Sequence, residues 1–499
     1  MTQSIDRATT RSRTVPTQAD GEKSTGTSSR PGLALGALIA LVVGSMIGSG
    51  IFALPSQMAG SAAPGPLLIG WLVTGVGMLM LAFVFQTLAS RKPDVDGGVY
   101  GYARAGFGDY VGFTSAWGYW ISAWVGNVAY LVLLMSTLGT FVPAFEGGTT
   151  VVAILAASSV VWVVHALTLR GVHTAATANV VVTIAKVVPI VTFIAIAAVG
   201  FKAGVFTADF WGKDAGLGST WDQVKNMMLV TVWVFIGIEG ASIYSQRARR
   251  RKDVGLATVI GFVGVLALLL MVNLLSYGLM AQADIAGLSD PSMAALLEDQ
   301  VGSWGSAFIS IGLAISLLGA LIAWVLLSVE VLRLPAMEHV LPKALGKENR
   351  HGAPSYALWL TNGCVQLMLL WTLVNDSTYT DLVYLATALI LLPYLWSAAY
   401  QVLLAARGET YEGAAWPRRR DLIIGTAALA YAVWLVYAGG WQYVLIAALF
   451  YLVGTTLFVW ARRENRQPVF TAVERVLVGV VAIVSVVAVV GLVQGFVSV

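Results

Sequence analysis

The stretch Gly44-Ser-Met-Ile-Gly-Ser-Gly50 decides how this chain is read. It lies inside the first long apolar run, between residues 33–43 and 51–54. Three glycines and two serines in seven positions do not strengthen a membrane helix. Each Gly in a helix interior costs about 0.5–1 kcal/mol relative to Ala. Backbone that leaves the helix in lipid survives only against protein or a wet cavity, because its polar groups need new partners. A broken helix offers free N–H groups on one half and free C=O groups on the other, and together they can hold the carboxylate and ammonium of an amino acid. The alternative is a packing face, since Gly44, Ser45 and Gly48 also fit a small-xxx-small interface.

Composition sets the surroundings of that stretch. With 58% hydrophobic and 11% charged residues and a mean hydropathy of +0.78, the chain reads as an integral membrane protein. Residues 1–31 differ: they are polar and rich in Ser, Thr and Arg, the composition of a disordered tail. The tail is long for the start of a secretory signal, and its acidic residues weigh against an organellar transit peptide. A single cysteine, Cys364, excludes an intrachain disulfide.

Apolar runs of about 20 residues predict spans near 32–59, 67–90, 113–141, 151–169, 174–200 and 222–246. Others follow near 254–281, 302–330, 355–375, 379–406, 421–438, 441–461 and 473–497, about thirteen in all. With the N-terminus inside, 26 of the 30 Lys and Arg fall on cytoplasmic segments. This positive-inside asymmetry explains the pI near 9.0, so no nucleic-acid partner is implied. Span six carries a second interruption, Phe235-Ile-Gly-Ile-Glu-Gly-Ala241, five spans after the first. Glycine-interrupted segments at matching places in two halves point to an inverted repeat, with the two breaks facing one site. A packing face accounts for one break and not for the spacing of both.

Ionisable residues deep in a span cost roughly 2.5–3.5 kcal/mol and are candidates for function. Lys186 lies about 18 Å from either end of its span, beyond the reach of snorkelling. It faces protein, as a titrating group, a stand-in for a bound metal ion or a fixed structural charge. Glu239 sits between Gly237 and Gly240 in the second break. It can meet a cationic ligand or carry a proton, or pair with the basic cluster Arg247 to Lys252. Glu330 and Arg333 are expected to pair with each other. Trp233, Trp324 and Asn127 lie too far from span ends for an interfacial belt, and a cation between Trp faces gains roughly 0.5–2 kcal/mol. The histidines lack metal-ligand spacing, and no nucleotide-binding loop or nucleophile–base pair is present. Neither an enzyme nor a cofactor is expected.

The segments Gly44-Ser-Met-Ile-Gly-Ser-Gly-Ile-Phe52 with Pro55, and Trp233-Val-Phe-Ile-Gly-Ile-Glu-Gly-Ala-Ser242, resemble spans one and six of amino acid–polyamine–organocation transporters. The nearest resemblance is to basic amino acid/polyamine antiporters: the arginine–ornithine, lysine and arginine–agmatine exchangers. Residues 250–258, Leu341-Pro-Lys343 and Gly352-Ala-Pro354 support it. The resemblance implies an all-α integral membrane fold, a LeuT-like five-plus-five inverted repeat with helices one and six broken. It implies a core over 32–406, in halves of about 32–200 and 222–406, with additional helices over 407–499.

By the same resemblance, Ser49 and Gly50 hold a substrate carboxylate, and the carbonyls of Met46, Trp233 and Ile236 take its ammonium. Trp233 stacks on the substrate side chain, Trp324 and Asn127 enclose its far end, and Ser122 and Ala123 approach its charged group. Glu239 is the charge or pH-sensing group, and Lys186 resembles the span-five lysine of proton-coupled relatives. Ser45 stands where the arginine–agmatine exchangers have Asn, and Tyr130 where they have Met, which leaves the substrate pair open. The expected activity is exchange of arginine or lysine for a related amine such as ornithine, with a proton-coupled amino acid symporter as the alternative. The expected location is a plasma membrane, in a prokaryote the inner one, with the N-terminus cytoplasmic. The partners are small cationic amino acids and the bilayer, and a homodimer is left open.

Overall fold

The computed structural model describes residues 35–171, 176–239, 251–375 and 377–495. All of the regular elements there are helical. The first predicted span is three pieces: α1 (Leu35–Met46), a 3-10 turn (Gly50–Phe52) and α2 (Leu54–Ala59). Then come α3 (Pro64–Arg91), the short α4 (Val99–Phe107), α5 (Asp109–Gly139), α6 (Val151–Leu169) and α7 (Ala176–Gly200). The second interrupted stretch follows α8 (Ala203–Thr207) and opens with α9 (Thr220–Asn226) and α10 (Met228–Trp233). After it run α11 (Arg251–Leu279), α12 (Gln282–Ala286), α13 (Ser292–Val301) and α14 (Ser303–Met337). The chain closes with α15 (Ser355–Asn375), α16 (Tyr379–Arg407), α17 (Ala415–Ala438), α18 (Trp441–Glu464) and α19 (Ala472–Gln494).

Eleven of these helices are long and apolar enough to cross a membrane. The stretches 32–59 and 222–246 are not among them, because each is interrupted. At 1.5 Å per residue the 12-residue α1 reaches about 18 Å, roughly half of a ~30 Å hydrocarbon layer. Predicted and observed bounds agree within a few residues elsewhere, apart from two early closures: α14 continues to Met337 and α17 starts at Ala415. The junction of α17 and α18 is Gly439–Gly440, with Gly440 at φ +84°.

The core centres on α5. Of its most apolar window 89% is buried, against 17% for α19, so α5 is enclosed by protein and α19 presents itself to lipid. It packs along α16 and α14, and small residues permit the approach: a Cβ on Gly118 would lie 2.9 Å from the Leu389 carbonyl of α16. The same device joins α14 to α7, where a Cβ on Gly319 would run into the Val182 side chain. It also joins α3 to α17, where Gly77 lies under the Tyr431 ring. At the end of α3 that carries the basic loops, Arg91 pairs with fully buried Asp421 of α17 at 2.9 Å. Glu330 and Arg333 pair at 3.0 Å as expected.

Candidate substrate-binding site

The first break begins where α1 runs into Gly48. The Ile47 N–H still bonds to the Val43 carbonyl, but Gly48 turns back onto Met46 (2.8 Å). Bonding resumes with Phe52 to Ser49 (3.2 Å) and Ala53 to Gly50 (3.1 Å). The N–H groups of Ser49, Gly50 and Ile51 find no backbone carbonyl among the described residues. Met46, Ser49 and Ile51 are nonetheless buried. Buried N–H groups without carbonyls, at the start of a short helical segment, are suited to an anionic group.

The second break follows Trp233. Phe235 bonds to Val232 (2.9 Å), Ile236 to Trp233 (3.2 Å) and Ile238 to Phe235 (3.1 Å), so the helix gives way to successive tight turns. Gly237 stands at φ +106°, a conformation open to glycine and costly for other residues. Its N–H donates to Glu239 Oε2 at 3.2 Å. The carbonyls of Met46 and Trp233 each accept one backbone bond, and a carbonyl has a second lone pair to offer.

The two breaks meet at the Trp233 indole. A Cβ on Gly50 would lie 2.8 Å from Trp233 Cδ1, and one on Gly126 of α5 would lie 3.1 Å from Cη2. The indole therefore lies with its pyrrole edge on the first break and its far edge on α5. Its Nε1–H donates to the Tyr379 hydroxyl of α16 at 3.3 Å, and the Tyr130 ring stands 5.8 Å away at 54°. Tyr119, Ser122, Ala123, Gly126, Asn127 and Tyr130 recur at intervals of three and four along α5, the spacing of one helix face. All of them whose burial bears on the site are enclosed, Ser122 and Ala123 included. Both polar atoms of the Asn127 amide are buried without a hydrogen-bond partner among the described residues. Such a group costs about 1–3 kcal/mol unless a ligand or water satisfies it.

Glu239 is held by phenols. Tyr119 Oη donates to Oε1 at 2.6 Å and Tyr394 Oη of α16 donates to Oε2 at 2.8 Å. Tyr379 and Tyr394 are fifteen residues apart on one helix, about 22 Å, so α16 backs the second break from its indole to its carboxylate. Residues 240–250, including the continuation of the motif and most of the basic cluster, lie outside the described residues, as does the Ser45 side chain.

Lys186 is buried in α7 and makes no hydrogen bond or ion pair among the described residues. Thr183, one turn earlier, approaches the first break: its Oγ1 is 3.8 Å from a Cβ on Gly44. Ile236 is buried in the second break. Trp324 packs against the same core cluster that holds Met46, Tyr130 and Trp233. It is partly exposed on α14 and has no aromatic neighbour in ring contact among the described residues. His165 is buried in α6 beside Asn362, whose Nδ2 is 3.1 Å from its Nδ1, far from any metal-ligand set.

Sequence reasoning passed over Tyr119, Gly126, Tyr379 and Tyr394. A signal existed for Tyr394, a phenol in mid-span at Pro393-Tyr394 where no interfacial belt explains it. Also passed over was a cavity of about 500 Å³ at the end away from the basic loops, walled by Ser56, Gln57, Ser136, Asp290, Tyr379 and other mostly polar residues. Burial pushes the Asp290 carboxyl up to about 7, partly offset by the Ser56 hydroxyl and the Ser292 N–H.

Known proteins match this arrangement along nearly its whole length. The chain is 57% identical to an arginine/ornithine antiporter of Pseudomonas aeruginosa, over 93% of its own length and 98% of the relative's. It is 45% identical to an L-lysine transport protein of Corynebacterium glutamicum, over 92% and 95% of the two chains. An arginine/agmatine antiporter of Chlamydia abortus is 36% identical over 89% and 93%. The family model described as amino acid permease matches residues 33–498. A chain whose two broken stretches meet at Trp233 and whose sequence fits that description from residue 33 to residue 498 belongs to the amino acid permease family.

Proposed function

We propose that this membrane protein, a transporter and not an enzyme, exchanges arginine or lysine for a related amino acid or amine such as ornithine by alternating access. One observation carries the reading: the Trp233 indole of the second break rests on Gly50 of the first. Unpartnered N–H groups, spare carbonyl lone pairs and an aromatic face thus gather at one point. The names of relatives at 36–57% identity support the class of substrate. Ser49 and Gly50 take the carboxylate, and Met46, Trp233 and Ile236 take the ammonium through their carbonyls. Trp233 covers the side chain, and Ser122, Ala123 and Asn127 meet its far end, the orphaned Asn127 amide supporting that part. Trp324 of α14 joins Asn127 in enclosing that far end. Glu239 is the charge-sensing group and Lys186 the fixed or titrating cation.

The architecture that suits this function is a five-plus-five inverted repeat over about 32–200 and 222–406, with residues 407–499 as added helices. Residues 1–31 form a cytoplasmic tail, and the protein sits in the plasma membrane with its basic loops inside. The positive-inside asymmetry supports that orientation, and the bacterial origin of the relatives supports the membrane.

Lys186 favours a second reading, a proton-coupled symporter, because a buried amine without a partner can release its proton. Liposomes loaded with unlabelled arginine, ornithine, lysine or nothing separate the two. Rapid uptake of labelled arginine only into amino-acid-loaded vesicles establishes exchange. Uptake into empty vesicles under an inward proton gradient, lost in Lys186→Ala, establishes the symporter.

A further inference from the structure

The 500 Å³ cavity lies outside the two breaks, and its size falls within the range of about 300–1,000 Å³ usual for small-ligand sites. Ten of its sixteen lining residues carry a hydroxyl, and Gln57 adds an amide. Asp290 is its one carboxylate, and no Lys, Arg or His lines it among the described residues. The carboxylate is fixed in place, since Ser56 Oγ of α2 donates to Oδ1 at 2.9 Å. The Asp290 carbonyl accepts from Ser136 of α5, and the Ser56 N–H donates to Ser292 Oγ at 3.1 Å. Asp290 is thereby pinned between the second half of the first broken stretch and the central helix. Tyr379 belongs to the same wall, and its hydroxyl receives the Trp233 Nε1–H. One phenol therefore separates the cavity from the indole.

A wall of hydroxyls around one carboxylate, with no opposing cation, suits a ligand that carries positive charge and several N–H donors. We propose that this cavity is an outer capture site for the ammonium or guanidinium group of a cationic amino acid, with Asp290 as the charge that holds it. From there the ligand passes Tyr379 to reach the two breaks. This step rests on the exchange reading above.

The test measures KM for labelled arginine separately on the two faces of the reconstituted full-length protein, with Asp290→Asn, Asp290→Glu and Asp284→Asn beside the wild type. Asp290→Asn should raise KM about fivefold or more on the cavity face alone, with the saturated rate little changed. Asp290→Glu should restore it, and Asp284→Asn, which removes an exposed carboxylate of α12 that does not line the cavity, should change it less than about twofold. An unchanged KM in Asp290→Asn, or an equal rise on both faces, overturns the proposal. Should Asp290→Asn fail to fold, the wild type decides: KM on the cavity face should climb between about 20 and about 300 mM salt, and a flat response overturns the proposal. Absence of arginine counterflow in the wild type defeats the exchange reading instead. Equilibrium binding of labelled arginine to the purified protein, weakened or not by Asp290→Asn, then still decides the capture site.

Discussion

The two broken stretches reach one place by opposite means. The first, at Gly48–Gly50, is made by taking side chains away, so that buried N–H groups are presented bare. The second, at 234–239, is made by adding them: an indole, a carboxylate and the phenols that hold it. An anionic group can be met by backbone alone, because a few convergent N–H dipoles supply the positive field. A side chain that differs between substrates needs shape and charge that only side chains give. On the proposed reading, the N–H groups of the first break serve what all amino acids share, and the side chains at the second serve what distinguishes them, while its carbonyls help to hold the shared ammonium.

If that division holds, Trp233→Leu has the largest effect. Saturable arginine uptake should fall to background while the purified protein keeps its thermal transition, and unchanged uptake would remove the indole from the site. Gly50→Ala comes next. The added methyl would meet Trp233 at 2.8 Å, and the far edge of the indole already lies against α5 at Gly126. A displacement of about an ångström can cost about a hundredfold in a positioned site, so uptake of every substrate should drop together, measured as initial rates. A loss confined to one substrate would break the assignment of the first break to shared groups.

Asn127→Leu sharpens the comparison from the other side. Removing an orphaned buried amide should leave the melting temperature unchanged or raise it. Loss of one charge-assisted bond worth about 1.5–3 kcal/mol should raise KM for arginine by about tenfold or more. A lower melting temperature with unaltered KM would make Asn127 a structural residue. The smallest effect belongs to Tyr394→Phe. Deleting one of the bonds to Glu239 costs about 0.5–1.5 kcal/mol, or roughly two- to tenfold in rate. The loss stays small because Glu239 keeps the Tyr119 and Gly237 bonds, and initial rates of arginine uptake check it: no fall at all would make the Tyr394 bond dispensable.

How much of this could be read beforehand follows from the same contrast. Gly44–Gly50 announced itself because glycine and serine are costly inside an apolar run, and the membrane tolerates them only for a reason. The helices were placed by run length, and their bounds held closely because the bilayer sets both. The amphipathic α4, with Arg104 and Tyr102, was too short and polar for that signal. The partners of Glu239 and Trp233 were hidden for another cause. Tyr119, Tyr379 and Tyr394 sit on helices whose rotation is fixed by tertiary packing, and spacing along a span does not say which face turns inward. Trp324, the mid-span tryptophan of α14, is half-buried against the core that holds Trp233, and mid-span position alone does not say what its indole meets.

The contact of Gly50 with the Trp233 indole also bears on descent. Position 50 cannot acquire a side chain while an indole occupies 233, and a small residue at 233 would release that constraint. The contact therefore predicts that the two positions change as a pair. A related sequence that carries alanine or serine at the first should carry something smaller than tryptophan at the second, so specificity in this lineage changes by linked steps across the two breaks.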